Sequence, residues 1–376
     1  MLRRGNGKIV LTDDFTPLCL LASPATSHEV VNKGVYIGID LDSGSELYWD
    51  MLSSPSPHAI VIGPTGSGKT ITLLTLAQRI ARTYNASILV IDIKGEYRAL
   101  LDGLVDRVFV FNPLSKPIDI CNQTLINILI ELLQAMLHLN ESSRRFLAEV
   151  LKISCSSSSL TNTLRSIPVN NVDELGKALE IIQLLFESRE GVELFTLLRE
   201  TLKPRSALII ELGTSIHYDY AAIIPLLFIS VMLTPQALST ILNYSDIKLV
   251  LVLDEAWLYV PYTTRDIVTK VLRLARSYGI SMLMATQSLG DLDEYKDLIL
   301  SNCGLFIALA SNAKSYWIEL AKYLNLSSRL VNRALELQER GEGVVLLAPS
   351  KTPRFVYIDP LSREELEALV KKMLRK

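Results

Sequence analysis

The chain has 376 residues, of which 49% are hydrophobic and 21% are charged. This composition excludes a disordered protein and provides enough chain for one large α/β domain with a smaller attachment or insertion. The formal net charge of -2 means that the surface as a whole does not attract nucleic acid. Any contact with nucleic acid must come from a local patch or from a ring of subunits.

The cysteines do not predict a metal site, because no two of them form a closely spaced pair. They are Cys19, Cys121, Cys155 and Cys303. We expect isolated thiols in a reducing compartment and no structural metal. The most apolar segment, residues 221–233, contains Pro225 and falls short of the roughly 20 residues that a membrane-spanning helix needs. It is expected to be a buried helix of a cytoplasmic protein without a signal peptide.

Short strand patterns separated by glycine, proline, aspartate and serine come first and predict a small N-terminal β region over residues 1–52. One of these patterns is Leu18–Ala22. Residues 53–57, rich in serine and proline, then resemble a linker. The helical spacing that begins near Ser362 predicts a C-terminal helical tail over residues 361–376.

Between these ends, fully apolar strands alternate with helices, which is typical of a mostly parallel sheet covered on both faces. The spacing is purely helical over residues 125–202, where we expect an all-helical insertion. The predicted fold class is therefore α/β, with a core formed by residues 53–124 and 203–360.

A glycine-rich loop between an apolar strand and a helix is the strongest functional signal. Glycines let successive backbone amides point at phosphate oxygens, and the following helix adds its positive N-terminal end. The lysine is placed for the β- and γ-phosphates and the last threonine for Mg²⁺. The predicted phosphate-binding residues are Gly63, Pro64, Thr65, Gly66, Ser67, Gly68, Lys69 and Thr70.

Two adjacent acids end the apolar strand 249–253. Asp254 is placed to hold the magnesium shell, and Glu255 to orient and polarise the attacking water. A second acidic residue favours hydrolysis over simple nucleotide storage.

Four further residues are weaker candidates. Gln287 follows an apolar strand and is placed to sense the γ-phosphate, while Asp92 and Glu96 lie where a strand end meets the ligand crevice and are candidates for the metal and the water. Arg276, three residues after Arg273 on a predicted helix, is a candidate for stabilising the transferring phosphoryl group of a neighbouring subunit. The alternatives are a solvated turn for Asp92 and Glu96, an exposed helical arginine for Arg276, and a plain strand-end glutamine for Gln287.

The order of these segments resembles the HerA–FtsK superfamily of DNA-pumping ATPases. The similarity rests on residues 63–70, on 91–97, on Asp254-Glu255-Ala256-Trp257 after a helical insertion, and on the run from Arg273 to Gln287. Within the superfamily the chain is most similar to the HerA and type IV secretion branch. Its N-terminal residues 38–58 are similar to archaeal conjugation-type ATPases of DNA transfer or import. The N-terminal region is shorter than the barrel typical of HerA helicases, and no membrane anchor is visible.

The resemblance implies a RecA-like fold, a homohexameric ring, ATP and Mg²⁺ bound between subunits, and DNA threaded through the pore without regard to sequence. It places Lys69, Thr70, Asp254, Glu255 and Gln287 in the nucleotide site, and Arg276 as the finger acting in trans. The implied setting is DNA transfer or import, in the cytoplasm or at a membrane through a channel protein. A HerA-type repair helicase, a viral packaging motor and a nucleotide-dependent scaffold of a secretion or pilus machine remain alternatives.

Overall fold

A computed structural model describes residues 3–5, 8–10, 34–156, 160–165, 174–212, 222–240, 246–256, 272–350 and 352–360. The predicted strand Leu18–Ala22 and the predicted helical tail 361–376 lie outside these residues.

Most of the described strands belong to one 11-stranded sheet in the order β4-β3-β15-β14-β13-β5-β12-β11-β6-β10-β7. Seven neighbouring strands, from β13 to β7 in this order, are parallel. The strands from β14 to β4 add an antiparallel edge. In chain order the strands are β1 (Arg3–Gly5), β2 (Lys8–Val10), β3 (Val35–Asp40), β4 (Glu46–Trp49), β5 (Ala59–Ile62), β6 (Ser87–Asp92), β7 (Arg107–Phe111), β8 (Ile118–Asp119), β9 (Phe186–Glu187), β10 (Ser206–Glu211), β11 (Leu249–Leu253), β12 (Ile280–Thr286), β13 (Leu305–Leu309), β14 (Glu342–Leu347) and β15 (Arg354–Tyr357).

Helices cover both faces of this sheet, as the apolar strands predicted. In β5, Ile60 and Ile62 belong to one hydrophobic core while Ala59 and Val61 belong to the other. Because successive side chains of a strand point to opposite faces, an all-apolar strand fits only between two cores. The prediction of an α/β fold with a mostly parallel central sheet is confirmed.

The helices begin with α1, which follows the glycine-rich loop. In chain order they are α1 (Lys69–Tyr84), α2 (Tyr97–Leu101), α3 (Gln123–Leu137), α4 (Glu141–Ser156), α5 (Leu160–Arg165), α6 (Glu174–Leu185), α7 (Leu194–Thr201), α8 (Ile223–Met232), α9 (Pro235–Thr240), α10 (Lys296–Ser301), α11 (Lys314–Leu324) and α12 (Ser328–Ala334). A 3₁₀ helix, Gly290–Tyr295, leads into α10, and residues 272–277 are also helical.

The apolar segment near Pro225 forms the buried helix α8, as expected. Among the helices that the structure describes, none combines the length and the apolar composition needed to cross a lipid bilayer.

In the described residues of the insertion, the helices α3 to α7 are accompanied by one short strand that the periodicity did not show. Strand β9 lies within the insertion and pairs in parallel with β8, which precedes it. The expectation of an all-helical insertion therefore needs this correction. A two-residue strand is too short to leave a period-2 pattern that sequence analysis can detect.

The cysteine prediction was wrong for two of the four residues. Cys121, just before α3, forms a disulfide with Cys155 in the last turn of α4, with 5.4 Å between the Cα atoms. The helices α3 and α4 reverse the chain and bring together cysteines that are 34 positions apart in sequence. Cys303 is a free, half-buried thiol.

The predicted linker 53–57 is instead a turn in which Ser54, Ser56 and Pro57 are buried. The Ser54 hydroxyl donates to the Ser56 carbonyl at 2.9 Å, and the Ser56 hydroxyl accepts the His58 amide at 3.2 Å. Because the hydroxyls satisfy polar groups of the turn itself, serines typical of exposed linkers are buried here.

His58 connects this turn to two other elements. Its Nδ1 accepts the amide of Met282 in β12 at 3.1 Å, so its Nε2 carries the proton and donates to the Leu272 carbonyl at 2.8 Å. The residue is 1% exposed, and burial lowers the pKa of His58 from 6.5 to about 4. The neutral ring therefore joins strands β5 and β12 to the helix that carries Arg276.

This linkage predicts an acid-sensitive contribution to stability. The unfolded chain protonates His58 near pH 6.5 and the folded chain only near pH 4, so the contribution is complete above about pH 6.5 and is lost as the pH falls towards 4. Between about pH 7.5 and pH 4.5 the loss from His58 should be about 2.5 kcal/mol. Chemical denaturation of the wild type and of His58→Gln at both pH values measures it. The variant should lose less stability on acidification, and equal losses would contradict the assignment.

Candidate functional site

The predicted site residues come together at the carboxyl edge of the parallel sheet. The glycine-rich loop follows β5, Gln287 follows β12, Asp254 and Glu255 follow β11, and Asp92 ends β6. These four strands are neighbours in the sheet, in that order. Ligands bind at this edge in open α/β sheets because loops and helix N-termini converge there.

The loop has the backbone conformation that its glycines permit. Gly68 lies before the first residue of α1 with a φ of 104°, in a region that residues with a Cβ rarely adopt. A Cβ on Gly63 would lie 2.4 Å from the Ser67 Oγ, so a larger residue there would displace the Ser67 hydroxyl. The Ser67 hydroxyl is buried without a hydrogen-bond partner among the described residues, which fits a loop shaped for an external acceptor such as phosphate.

Lys69 is held inside the loop, 8% exposed. Its Nζ donates to the carbonyls of Gly63 at 2.9 Å and Pro64 at 3.2 Å. Burial lowers the pKa of Lys69, and the nearby Glu255 and Asp254 carboxylates oppose this effect. A partly desolvated ammonium held by neutral carbonyls is poised to bind a stronger, anionic acceptor.

Asp254 joins the loop helix to the acidic strand end. Its Oδ2 accepts hydrogen bonds from the Thr70 hydroxyl at 2.8 Å and from the Tyr97 hydroxyl at 3.3 Å. Its Oδ1 accepts the Glu255 amide at 3.0 Å. Asp254 is 7% exposed, and burial raises its pKa despite these donors. A cation at this oxygen cluster would favour the charged carboxylate.

Glu255 is buried and forms an ion pair with Lys94, with Nζ 2.5 Å from Oε1. The backbone of Glu255 has a φ of 57°, which is uncommon for a residue with a side chain and is often found at functional sites. Lys94 is 46% exposed and lies in the turn after β6. A Glu255 carboxylate released from this pair could accept a hydrogen bond from a water molecule.

Asp92 has a different environment from the one predicted for a metal ligand. It is 1% exposed, and its oxygens accept the amides of Gly95, Glu96 and Tyr97 at 2.8, 3.3 and 2.9 Å. Both oxygens are thus engaged by the turn that leads into α2. This geometry favours a role for Asp92 in positioning Lys94 and Tyr97.

The other predicted residues on this edge are more exposed. Gln287 accepts a long hydrogen bond of 3.4 Å from the Thr65 hydroxyl of the loop, so the two strand ends are in contact. Glu96 lies at the start of α2 and lines a small cavity together with Asp254, Glu255 and Lys94.

Arg276 lies elsewhere. Its helix precedes β12 and is attached to His58 at the amino end of β5, on the opposite edge of the sheet from the loop. β12 has seven residues, so the two edges are roughly 20 Å apart at about 3.3 Å per residue. Arg276 is exposed and cannot reach the loop of its own subunit.

Two residues of the site were not predicted. Lys94 pairs with Glu255, and Tyr97, fully buried, binds Asp254. Both belong to the segment 91–97 that supported the family resemblance. A lysine and a tyrosine directly after a buried acidic strand end were the signals that could have identified them.

The site contains only a few oxygen ligands for a metal ion among its described residues. No group of three or more His, Cys, Asp or Glu residues in the described ranges is arranged to hold a metal ion. One hydroxyl and one carboxylate, Thr70 and Asp254, fit the usual Mg²⁺ arrangement, in which phosphates and water complete the shell.

Comparison with known proteins agrees with this geometry. Residues 35–214 match the family described as "Helicase HerA, central domain". This part of the chain is similar to the HerA central domain. The chain is 26% identical over 355 residues to the DNA import protein CedB of Sulfolobus acidocaldarius, an alignment that covers 89% of this chain and 58% of CedB. The chain thus spans little more than half the length of that relative.

Solved structures share the fold of this chain. VirB4 of Thermoanaerobacter pseudethanolicus superposes with a TM-score of 0.63 at 16% identity, covering 89% of this chain and 98% of VirB4. The bacterial conjugative coupling protein TrwB superposes with a TM-score of 0.57 at 13% identity, covering 87% and 89%. The predicted resemblance is confirmed.

The ion pair predicts a measurable coupling between Lys94 and Glu255. Lys94→Met should lower the free energy of unfolding by about 1–3 kcal/mol, because a buried carboxylate loses its ammonium partner while the half-exposed lysine limits the loss. The double variant with both Lys94→Met and Glu255→Gln should lose about 1 kcal/mol less stability than the sum of the losses in the two single variants. Urea denaturation without nucleotide or Mg²⁺ measures this cycle.

Lys314→Met is the matched control, since Lys314 is an exposed lysine at the start of α11. Additive effects of the Lys94 and Glu255 changes would show that the pair does not contribute to the nucleotide-free state.

Proposed function

We propose that the chain is a Mg²⁺-dependent ATPase whose hydrolysis moves DNA. The observation that supports the ATPase assignment is the hydrogen bond from Thr70 to Asp254, two candidate Mg²⁺ ligands that lie beside the phosphate loop and next to the buried Glu255. TrwB, which shares the fold, has been solved with a non-hydrolysable ATP analogue and with ADP and Mg²⁺.

In this proposal each residue has a distinct task. Amides of residues 63–70 and the Lys69 ammonium bind the β- and γ-phosphates. Thr70 and Asp254 would hold Mg²⁺, which neutralises phosphate charge. Glu255 orients the attacking water once Lys94 has left it, and Gln287 reports the state of the γ-phosphate through its contact with the loop.

Glu255→Gln tests the chemistry. The amide keeps the size of the side chain but cannot accept a proton, so turnover should fall at least about 10²-fold while ATP still binds. A phosphate-release assay measures turnover and calorimetry measures ATP binding, so the two measurements separate lost hydrolysis from lost binding. Near-normal turnover would move the catalytic role elsewhere, first to Glu96.

The location of Arg276 supports a ring. Since it cannot reach its own loop, a catalytic Arg276 must act on a neighbouring subunit, as expected for a homohexamer. The name of CedB, a DNA import protein, and the conjugative role in the name of TrwB support DNA as the cargo, with a membrane channel protein as a further partner. Contact with the DNA backbone would make the motor indifferent to sequence and sensitive to salt.

Mixing two inactive variants tests action in trans. Arg276→Ala has an intact loop and Lys69→Ala an intact Arg276, so mixed rings contain some interfaces with both residues. ATPase activity should recover in the mixture above either variant alone. Arg273→Ala, which changes the exposed arginine one turn earlier on the same helix, should keep its activity. No recovery at any mixing ratio would remove Arg276 from the proposed site.

The second candidate is a nucleotide-dependent scaffold of a secretion or pilus machine, which the net charge of -2 favours. ATPase rates with single-stranded and duplex DNA separate the candidates. If neither form changes the rate and neither binds at low salt, the DNA-moving function fails and the scaffold remains.

A further inference from the structure

A groove of about 1250 Å³ lies along β7, the strand at one edge of the sheet. Val108 and Val110 of this strand line it. One wall comes from α2, whose buried residues belong to the core on one face of the sheet. The other wall contains Val192 and Leu197, which pack against the core on the opposite face. The groove therefore follows the edge of the sheet, with one wall on each face.

The edge of β7 is open to a further strand. Among the described strands, β7 pairs with β10 alone. In an edge strand every second residue directs its N–H and C=O groups away from the sheet. No proline removes a donor from residues 107–111. These backbone groups point into the groove, where another extended chain would pair with them.

Strand β7 is also less buried than the strands inside the sheet. All residues of β6 and β11 are buried, whereas in β7 only Phe111 is buried. Val110 is 39% exposed and is one of the large apolar side chains on the surface of the described residues. An apolar side chain on an open edge favours pairing with another strand.

The unpaired charge around the groove is mostly positive. The side chains of Arg98 and Lys116, which line it, and of Arg107 at the start of β7 are exposed and make no hydrogen bond or ion pair with other residues in the described ranges. Of the carboxylates in the lining, Asp102 already has a partner, while Glu211 has none among the described residues. Three unpaired cations against one unpaired carboxylate favour an acidic ligand.

The size and the chemistry of the groove favour a polypeptide. Its volume exceeds the roughly 1,000 Å³ at the upper end of small-molecule sites. An extended peptide carries backbone donors and acceptors at the same spacing as the open edge of β7, and its alternate side chains would lie over the exposed valines.

We propose that the groove along β7 binds an extended acidic segment of a partner protein, which adds a strand to the sheet. Backbone hydrogen bonds to β7 hold the segment, and alternate apolar side chains pack on Val108 and Val110. Its carboxylates pair with Arg98, Arg107 and Lys116. The groove contains none of the residues given a task in the proposed ATPase mechanism, so the proposal does not depend on that function.

The test measures binding of a fluorescein-labelled peptide to the full chain by fluorescence anisotropy. In the probe, valine and threonine alternate between glutamates at both ends. Wild type should bind this peptide at least about tenfold more tightly than a peptide with lysines in place of the glutamates. The same difference is expected for a peptide with prolines in place of the threonines, because proline cannot donate to a strand. Binding should slow amide hydrogen exchange over residues 107–111 at least about tenfold.

Two variants locate the peptide. Val110→Asp should weaken its binding at least about fivefold by placing a charge against apolar side chains, and Arg98→Glu should do so by reversing an attractive charge. Both side chains are exposed, so the fold should be retained, which the thermal unfolding midpoint checks. Ile318→Asp and Arg329→Glu are the matched controls and should leave the affinity unchanged, since they change exposed residues of α11 and α12 outside the groove.

Several results would overturn the proposal. If wild type at about 1 mM does not bind the acidic peptide, the groove is not a receptor for such a strand. Equal binding of the lysine peptide refutes the acidic ligand, and equal binding of the proline peptide refutes strand pairing. Unchanged affinity in both groove variants, or unchanged hydrogen exchange over residues 107–111, places the peptide elsewhere.

Two other occupants of the groove would also show that the proposal is wrong. If single-stranded DNA protects residues 107–111 from exchange and the peptide does not, the ligand is a nucleic acid. If Val110→Asp lowers the mass of the peptide-free assembly in light scattering, the edge is a contact between copies of this chain.

Discussion

The hydrogen bond from Thr70 to Asp254 unites two parts of the chain that are 184 positions apart in sequence. It exists because β5 and β11 are parallel strands separated only by β12, so their carboxyl ends open on the same edge. The first turn of α1 then lies within reach of the acid that follows β11. The contacts of Lys94 with Glu255 and of Tyr97 with Asp254 depend in the same way on the alignment of β6 with β11.

The nucleotide-free site is electrostatically balanced by its own side chains. The loop carbonyls accept Lys69, Lys94 neutralises Glu255, and the hydroxyls of Thr70 and Tyr97 donate to Asp254. Burying charged groups without such partners would cost several kcal/mol. A phosphate and a cation therefore do not enter an empty charged pocket, because they must exchange with existing partners. Glu255, the candidate base, is held in the ion pair with Lys94. Its release is therefore coupled to the exchange of these partners for phosphate and cation.

Much of the fold was predictable because apolar strands and the glycine-rich loop leave strong local patterns. The acids at the ends of β6 and β11 were found for the same reason. The roles of Asp92 and Lys94 were not predictable, since both follow from the three-residue turn that folds back over the carboxylate of Asp92. The Cys121–Cys155 disulfide depends on how α3 and α4 reverse the chain, which no spacing rule indicates.

The location of Arg276 shows why a single subunit is an incomplete catalyst in this proposal. The carboxyl edge of the sheet holds the candidate residues for binding phosphate, Mg²⁺ and the attacking water, and there Lys69 is buried in the loop and Lys94 is paired with Glu255. Arg276 lies roughly 20 Å away, and buried His58 fixes its helix to the opposite edge of the sheet. Stacking one subunit's amino edge against the next subunit's carboxyl edge would bring that arginine to the phosphate, which is the contact that the proposed ring requires.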